Sequence, residues 1–315
     1  MRKRYERGES TMEGILILAV LIIIIISMPK DSNRTASVTP GSIFSSNNYI
    51  SRESGSTNGT NLKSAPQAQY ISLNSGNAAY SYQPYEEYIT IDNYGTKPVD
   101  ITGWQLKNGK DKRPYYQGGI LQRFSADVAV IPQAARILSP VGTNFFENIV
   151  LNRSESAVIT TGSMGIQSPY KIVSFKENAC TGYLEKLSDY AFAPPLSQSC
   201  PDPRREPGVE MLPPECRDII STISSCETPE FKSYSLSREP CDNCLDGRSV
   251  PSYCAAFIRE HYSYQGCIAN HLNDPNFSGR TWRVFLGRRW EMWAEDYETI
   301  ELFNSYGQLV DFKNY

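Results

Sequence analysis

Histidine is scarce in this sequence, and its scarcity limits the chemistry open to the chain. Only His261 and His271 occur among 315 residues, so acid–base catalysis by histidine has few residues to draw on. The sequence also lacks a G-x-S-x-G turn, an H-E-x-x-H motif and a phosphate-cradling glycine loop. Glu86 and Glu87 are adjacent, so in a strand their side chains would lie on opposite faces. We therefore expect no catalytic activity, no cofactor and no bound metal.

An excess of charge of one sign is missing too. The chain has 31 Lys and Arg against 34 Asp and Glu, a formal net charge of −3. Such a balance creates no overall field that would steer the protein to nucleic acid. One local segment combines basic side chains, which can bind phosphate, with aromatic side chains, which can stack on bases or sugars. The alternative interpretation of this segment is a solvated hairpin tip. This predicted ligand loop contains Lys107, Lys110, Lys112, Arg113, Tyr115 and Tyr116.

Cysteine is absent outside one region of the chain. All eight cysteines lie between positions 180 and 267. An even, clustered set in an exported chain indicates a disulfide framework. It predicts a stapled insertion at 166–280 whose own core is thin. The disulfide candidates are Cys180, Cys200, Cys216, Cys226, Cys241, Cys244, Cys254 and Cys267.

Two predicted helices suggest how these cysteines pair. The segments 214–226 and 251–261 each place cysteine and apolar residues on one stripe, and each begins at or just after a proline. An antiparallel pair of these helices would bring Cys216 near Cys267 and Cys226 near Cys254. Cys180–Cys200 and Cys241–Cys244 would then remain, although eight cysteines allow 105 pairings.

The Cys241-x-x-Cys244 motif has other readings. With Cys254 and Cys267 it could hold zinc, but the second half lacks the close spacing of a zinc ribbon. It could form a redox pair, but no βαβ pattern surrounds it. A calcium loop is excluded because Tyr253 occupies the position of the bidentate glutamate.

The N-terminal region predicts a membrane anchor. A basic leader at 1–13 precedes an apolar run, for which we predict a transmembrane helix at 14–28. The basic flank places the N-terminus in the cytoplasm and the rest of the chain outside the cell. A cleaved secretory signal is the rival interpretation, although the run lacks a good small-x-small cleavage site. Residues 29–69, rich in Ser, Asn, Thr and Gly, predict a flexible linker.

The leader also resembles those of type IV pilin-like proteins, in particular tight-adherence minor pilins. These combine a basic leader, a glycine, a glutamate five positions later and an apolar helix. The resemblance implies cleavage after Gly8 and a role for Glu13 in assembly. The same residues can also occur at these positions by chance. Glu13 would then be an interfacial residue at the start of the apolar helix.

Apolar and polar residues alternate at 87–106, EYITIDNYGTKPVDITGWQL, and the alternation predicts a hairpin. Ile89 and Ile91 alternate with polar residues, and Gly95 lies in the turn that follows, where it tolerates positive φ. The second strand has three residues expected to be buried, Val99, Ile101 and Trp104.

The same alternation returns at the C-terminus. Ile300 with Leu302, and Val310 with Phe312, predict two strands at 298–304 and 308–315 that supply the partner sheet. Trp282, Trp290 and Trp293 are expected in the core or between domains. Shorter strands are predicted at 70–73, 128–131, 135–138 and 156–160.

The two alternating stretches resemble the lamin-tail domain. Its sequences carry E-Y-I-x-I-x-N-x-G-x-x-P-V-D-I-x-G-W-x-L and close with I-x-L-x-x-x-x-G-x-L-V-D-x-x-x-Y, and both stand here, at 87–106 and 300–315. The resemblance implies a mostly β chain. An immunoglobulin-like β-sandwich would form from 70–165 and 281–315, interrupted by the partly helical, disulfide-rich insertion.

The arrangement is also similar to membrane-anchored bacterial proteins that carry this domain. It implies a non-catalytic binding or structural module at the cell surface, which presents loops and the insertion to a protein or surface partner. One alternative is a pilin-like appendage subunit, and another is an accessory nucleic-acid-binding surface protein.

Overall fold

The computed structural model describes residues 65–110, 113–165, 169–236, 240–293 and 298–315. The predicted leader with Gly8 and Glu13, the predicted transmembrane helix and most of the predicted linker lie outside these residues. Within the described ranges, no helix is both long enough and apolar enough to cross a membrane.

The described chain is rich in β-structure. The strands are β1 (Ile71–Asn74), β2 (Tyr88–Asn93), β3 (Val99–Asp100), β4 (Gln105–Asn108), β5 (Pro114–Gln117), β6 (Ile120–Arg123), β7 (Val128–Val130), β8 (Ala134–Ala135), β9 (Phe146–Glu147), β10 (Val150–Leu151), β11 (Ser156–Thr160), β12 (Phe175–Asn178), β13 (Lys232–Tyr234), β14 (Pro240–Leu245), β15 (Arg248–Ser249), β16 (Ser278–Phe285), β17 (Thr299–Phe303) and β18 (Leu309–Asn314).

Helices are short and most lie between β12 and β16. The α-helices are α1 (Pro214–Ile220), α2 (Ser252–His261) and α3 (Tyr264–His271). The 3₁₀ helices are Pro66–Gln69, Thr181–Leu187, Pro203–Arg205 and Val209–Met211.

Two larger sheets organise the strands. One has seven strands in the order β1-β2-β11-β16-β12-β8-β9, and the other has four in the order β18-β17-β4-β7. Strand β2 alternates between buried and partly exposed side chains, as predicted. Its Ile91 lies opposite Leu73 of β1 and Ala157 of β11, so one apolar row crosses three strands.

The predicted hairpin at 87–106 is wrong, because its two halves belong to different sheets. Strand β2 pairs with β1 and β11, whereas β3 pairs with β10, and β4 pairs with β17 and β7. The side chain of Asn93 explains the change of sheet. Its Nδ2 donates to the carbonyls of Lys97 (2.9 Å) and Leu151 (2.8 Å), while its Oδ1 accepts from the backbone N–H of Gly95. These bonds replace the turn that a hairpin needs.

The buried faces of the two sheets share one hydrophobic cluster. Ile89 of the seven-stranded sheet and Leu302 of the four-stranded sheet are both fully buried in it. The predicted C-terminal strand pair is confirmed as β17 and β18, and β17 pairs with β4. Trp282 and Trp293 are buried in the same cluster, but Trp290 is 79% exposed, so the core position predicted for it is wrong.

Between β12 and β16 the chain leaves the sheet; we call residues 179–277 the excursion. It begins and ends at neighbouring positions, because Asn178 lies opposite Ser278. One buried cluster joins the excursion to the sheet through Leu138 and Phe175. Another lies inside the excursion and includes Ile220 of α1 and Ile258 of α2.

Four disulfides staple the excursion: Cys180–Cys267, Cys200–Cys226, Cys216–Cys254 and Cys241–Cys244. The Cys241–Cys244 pair is as predicted, and the other three predicted pairs are wrong. Helix α1 ends at Ile220 because the hydroxyls of Ser221 and Thr222 donate to backbone carbonyls of its last turn. Cys226 therefore leaves the predicted stripe, and Cys254 pairs with Cys216 instead.

A buried carboxylate joins the seven-stranded sheet to the segment before β17. Glu87 is fully buried, and its oxygens accept the backbone N–H groups of Met292 (2.7 Å) and Trp293 (2.8 Å). Burial raises the pKa of Glu87, while the nearby Thr161 side chain and the two backbone hydrogen bonds oppose the rise. The carboxylate thereby anchors the buried Trp293.

We expect Glu87→Ala to lower the free energy of unfolding by about 2 kcal/mol, because two buried N–H groups lose their acceptor. The neighbouring Glu86 is exposed, so Glu86→Ala is a matched control with an expected change within about 0.5 kcal/mol. Urea unfolding of both variants measures the difference. Equal losses in the two variants would show that the carboxylate is no anchor.

Candidate functional site

The predicted ligand loop is not gathered into one basic patch. The ammonium of Lys107, on β4, lies 4.4 Å from the centre of the Phe303 ring. Lys110 Nζ lies 3.6 Å from a carboxylate oxygen of the buried Glu298. These two lysines bind groups of the protein itself, so they contribute less to a ligand surface than the sequence suggested. Lys112 lies outside the described residues.

The other half of the loop lies in a hairpin, as the alternative interpretation of this segment expected, but the turn lies at 118–119, beyond the predicted loop. Strands β5 and β6 pair through Tyr116 opposite Leu121 and Gln117 opposite Ile120. Gly118 and Gly119 connect them, both with positive φ, as a two-residue hairpin turn requires. A Gly-Gly pair between two short runs is the signal that could have revealed it.

The hairpin carries several apolar side chains in solvent. Tyr116 is 75% exposed, Ile120 64% and Leu121 50%. Tyr115 stacks on Phe124 at the end of the hairpin opposite the turn, with ring centres 4.3 Å apart. Arg113 is exposed just before β5. The structure thus brings Arg113, Tyr115 and Tyr116 together and leaves Lys107 and Lys110 in other contacts.

A second polar site lies inside the excursion, where both histidines meet one carboxylate. Glu206 is 4% exposed. Its Oε1 lies 3.1 Å from His261 Nδ1, and its Oε2 lies 2.9 Å from His271 Nε2. His271 Nδ1 lies 2.7 Å from Asp274 Oδ2, so two carboxylates hold this ring.

Three elements meet at this cluster. Glu206 follows the 3₁₀ helix Pro203–Arg205, and the two histidines end α2 and α3. The hydroxyl of Tyr262 donates to the carbonyl of Pro203 over 2.9 Å. The His261 ring also stacks on the Phe257 ring, with ring centres 4.0 Å apart. The hydrogen bond to Glu206 was not predicted, because it joins residues 55 apart.

The cluster favours a protonated His271 and neutral tyrosines. Burial works to lower the pKa of His271, but the hydrogen bonds and charges of Glu206 and Asp274 outweigh it and raise the pKa above its ordinary value of 6.5. Burial and the charge of Glu206 raise the pKa of Tyr183 to about 12. The same two causes, in the same order, raise the pKa of Tyr262.

This arrangement is suited to holding elements together. Both ring nitrogens of His271 are engaged by carboxylates, which leaves neither one open to a substrate. All eight cysteines are in disulfides, so the chain offers no thiol nucleophile. Among the residues that the structure describes, no group of three or more His, Cys, Asp and Glu side chains is placed to hold a metal ion.

Comparison of the chain with models of known protein families and with curated protein sequences returns no match. Function is therefore argued from the geometry of the hairpin, the excursion and their surroundings.

Proposed function

We propose that this chain is a non-catalytic binding or structural module of the lamin-tail type, held at the outer face of a cell membrane by residues 14–28. In this proposal the two sheets are an immunoglobulin-like sandwich. The excursion and the exposed loops are the surfaces presented to a protein or another surface component.

The disulfide framework is the observation that carries the proposal. All eight cysteines are paired, and none is free. Disulfides persist in oxidising compartments and are rare where glutathione keeps thiols reduced. A fully paired set therefore favours a location outside the cytoplasm, which agrees with the basic flank of the apolar N-terminal run.

The arrangement of the sheets supports the lamin-tail part of the proposal. The motif stretch 87–106 and the C-terminal strands contribute to one buried cluster, although they are about 200 residues apart in the chain. Strand β4 begins directly after the Gly-Trp pair of the motif, and it pairs with β17. Because these two segments pair with each other, the chain between them is free to carry the excursion.

The absence of catalysis in the proposal rests on the histidine cluster. Its carboxylates and imidazoles bind one another, and Tyr262 ties the same region to Pro203. We infer a structural role for it, in which Glu206 fastens the segment before α1 to α2 and α3.

Thiol labelling on intact cells tests the proposed location. We expect a membrane-impermeant maleimide to leave the cysteines unlabelled until an impermeant reductant is added outside the cells. Labelling should then appear without lysis, because the module lies outside and all its thiols are paired. Labelling before reduction, or only after lysis, would contradict the proposal. A Cys241→Ala/Cys244→Ala variant is the control for signal from the short-range pair alone.

The mass of the mature N-terminus separates the anchored module from the pilin-like alternative. An anchored module keeps its leader, whereas a pilin-like subunit would begin at Glu9 after cleavage. Accessory nucleic-acid binding is less favoured, since two lysines of the predicted loop already contact Phe303 and Glu298.

A further inference from the structure

The β5–β6 hairpin has exposed apolar side chains at its turn and two arginines at the opposite end. We call Tyr116, Ile120 and Leu121, beside the Gly118-Gly119 turn, the apolar tip. Arg113 precedes β5, and Arg123 ends β6 opposite Pro114, so both arginines lie at the base and both are exposed.

The apolar side chains of the tip lie on both faces of the hairpin, so another part of the protein packed on one face would not bury them all. Tyr116 and Leu121 are directly opposite each other and share one face, whereas Ile120 lies opposite Gln117 on the other face. In the described part of the chain β5 and β6 form a two-stranded sheet of their own. Apolar groups on both faces suit insertion of the tip into an apolar medium.

The hairpin itself carries positive charge. Between positions 113 and 124 the sequence has Arg113 and Arg123 and no aspartate or glutamate, and Asp111 and Asp127 lie outside this segment. Basic side chains behind an inserted apolar group lie at the level of lipid headgroups, where anionic lipids attract them. Tyrosine favours the same interface, since its ring is apolar and its hydroxyl is polar.

The two aliphatic side chains of the tip favour lipid over nucleic acid as its ligand. Single-stranded nucleic acid binds by stacking its bases on aromatic rings beside basic groups. Ile120 and Leu121 offer no ring, yet they are among the outermost side chains of the tip. Exposing these side chains to water costs free energy, and transferring them into hydrocarbon removes that cost.

We propose that the β5–β6 hairpin is a second membrane contact, whose apolar tip inserts into an anionic bilayer while Arg113 and Arg123 bind the headgroups. The inference rests on the proposed function and extends it, because it gives the module a second contact with the membrane that anchors it. It names anionic lipid as the partner of this surface.

Hydrogen exchange of the full chain in nanodiscs tests the inference. One nanodisc contains phosphatidylcholine alone, and the other contains phosphatidylcholine with phosphatidylglycerol. We expect peptides covering 113–124 to exchange roughly 25-fold more slowly in the anionic nanodisc, since each of the two arginines near an anionic surface adds roughly fivefold in affinity. Ile120→Ser/Leu121→Ser and Arg113→Gln/Arg123→Gln should each remove that slowing.

Val141→Ser/Phe145→Ser is the matched control, because Val141 is 56% and Phe145 84% exposed elsewhere on the surface. This variant should keep the slowing, and unchanged disulfide maps should show that every variant folds. Equal exchange in the two nanodiscs would overturn the inference. So would slowing of the same peptides by an added single-stranded oligonucleotide rather than by anionic lipid.

Failure of the proposed anchor gives a different result. A chain without a membrane anchor would not co-elute with nanodiscs of phosphatidylcholine. The hairpin would then be tested by sedimentation of the same chain with phosphatidylglycerol vesicles. Binding lost in Ile120→Ser/Leu121→Ser supports the lipid contact, and no binding of the unaltered chain overturns it.

Discussion

Replacing Cys180 and Cys267 together with alanine is expected to lower the free energy of unfolding by about 4.5 kcal/mol. These residues are 87 positions apart, so their disulfide restricts a long loop in the unfolded chain. It also ties the start of the excursion to α3, and both sulfurs lie in the cluster that covers Phe175. Urea unfolding under oxidising conditions, followed by circular dichroism, measures the change.

The chain contains its own control for this prediction. Cys241 and Cys244 are 3 positions apart, and by the same loop argument their replacement with alanine costs about 2 kcal/mol. The difference between the two double variants should therefore be about 2.5 kcal/mol. Similar losses in both would mean that loop closure does not explain how the disulfides stabilise the excursion.

The second large effect is expected from Glu206→Ala, which should lower the free energy of unfolding by about 3 kcal/mol. The variant removes the acceptor of two largely buried imidazoles, and a buried polar group without its partner is costly. Glu210→Ala, four positions later and exposed, is the matched control and should change stability by no more than about 0.5 kcal/mol. Thermal and urea unfolding of the two variants give the comparison.

Measuring stability against pH separates the contribution of the Glu206 charge from that of its packing. The pKa of His271 is raised in the folded protein, so the stability that this contact contributes is complete below the ordinary pKa of 6.5 and is lost as pH rises through the raised value. His261 faces Glu206, and Asp274 faces His271, so both side chains belong to the same cluster. We expect the unaltered protein to lose stability as the pH rises above 6.5 and through the raised pKa of His271, and Glu206→Gln to flatten that loss. An equally steep loss in Glu206→Gln would assign it to another group.

The sequence predicted the strands with a single buried face. Burial alternates along β2 and β17, so the period-two pattern located both. It did not predict which sheet each strand joins, because the side chain of Asn93 redirects the chain through bonds to Leu151, 58 residues away. A bond over that distance leaves no local trace in the sequence.

The excursion was harder to predict for a related reason. Helix α3 lacks a clear apolar stripe, and its start depends on Ser263, whose hydroxyl accepts the N–H of Gly266. Without α3, the partner of Cys267 could not be identified. The Glu206 cluster joins residues 55 and 65 positions apart, so it too was beyond local patterns.

The pairing of Asn178 with Ser278 has a consequence for how this protein can vary. Because the chain departs from the sheet and returns to it on adjacent strands, a tight turn of a few residues could bridge the same gap. The intervening segment is thus free to lengthen, shrink or be exchanged during evolution without disturbing the strand register beneath it. Any replacement must still shield Leu138 and Phe175, the two fully buried side chains through which the present segment rests on the sheet.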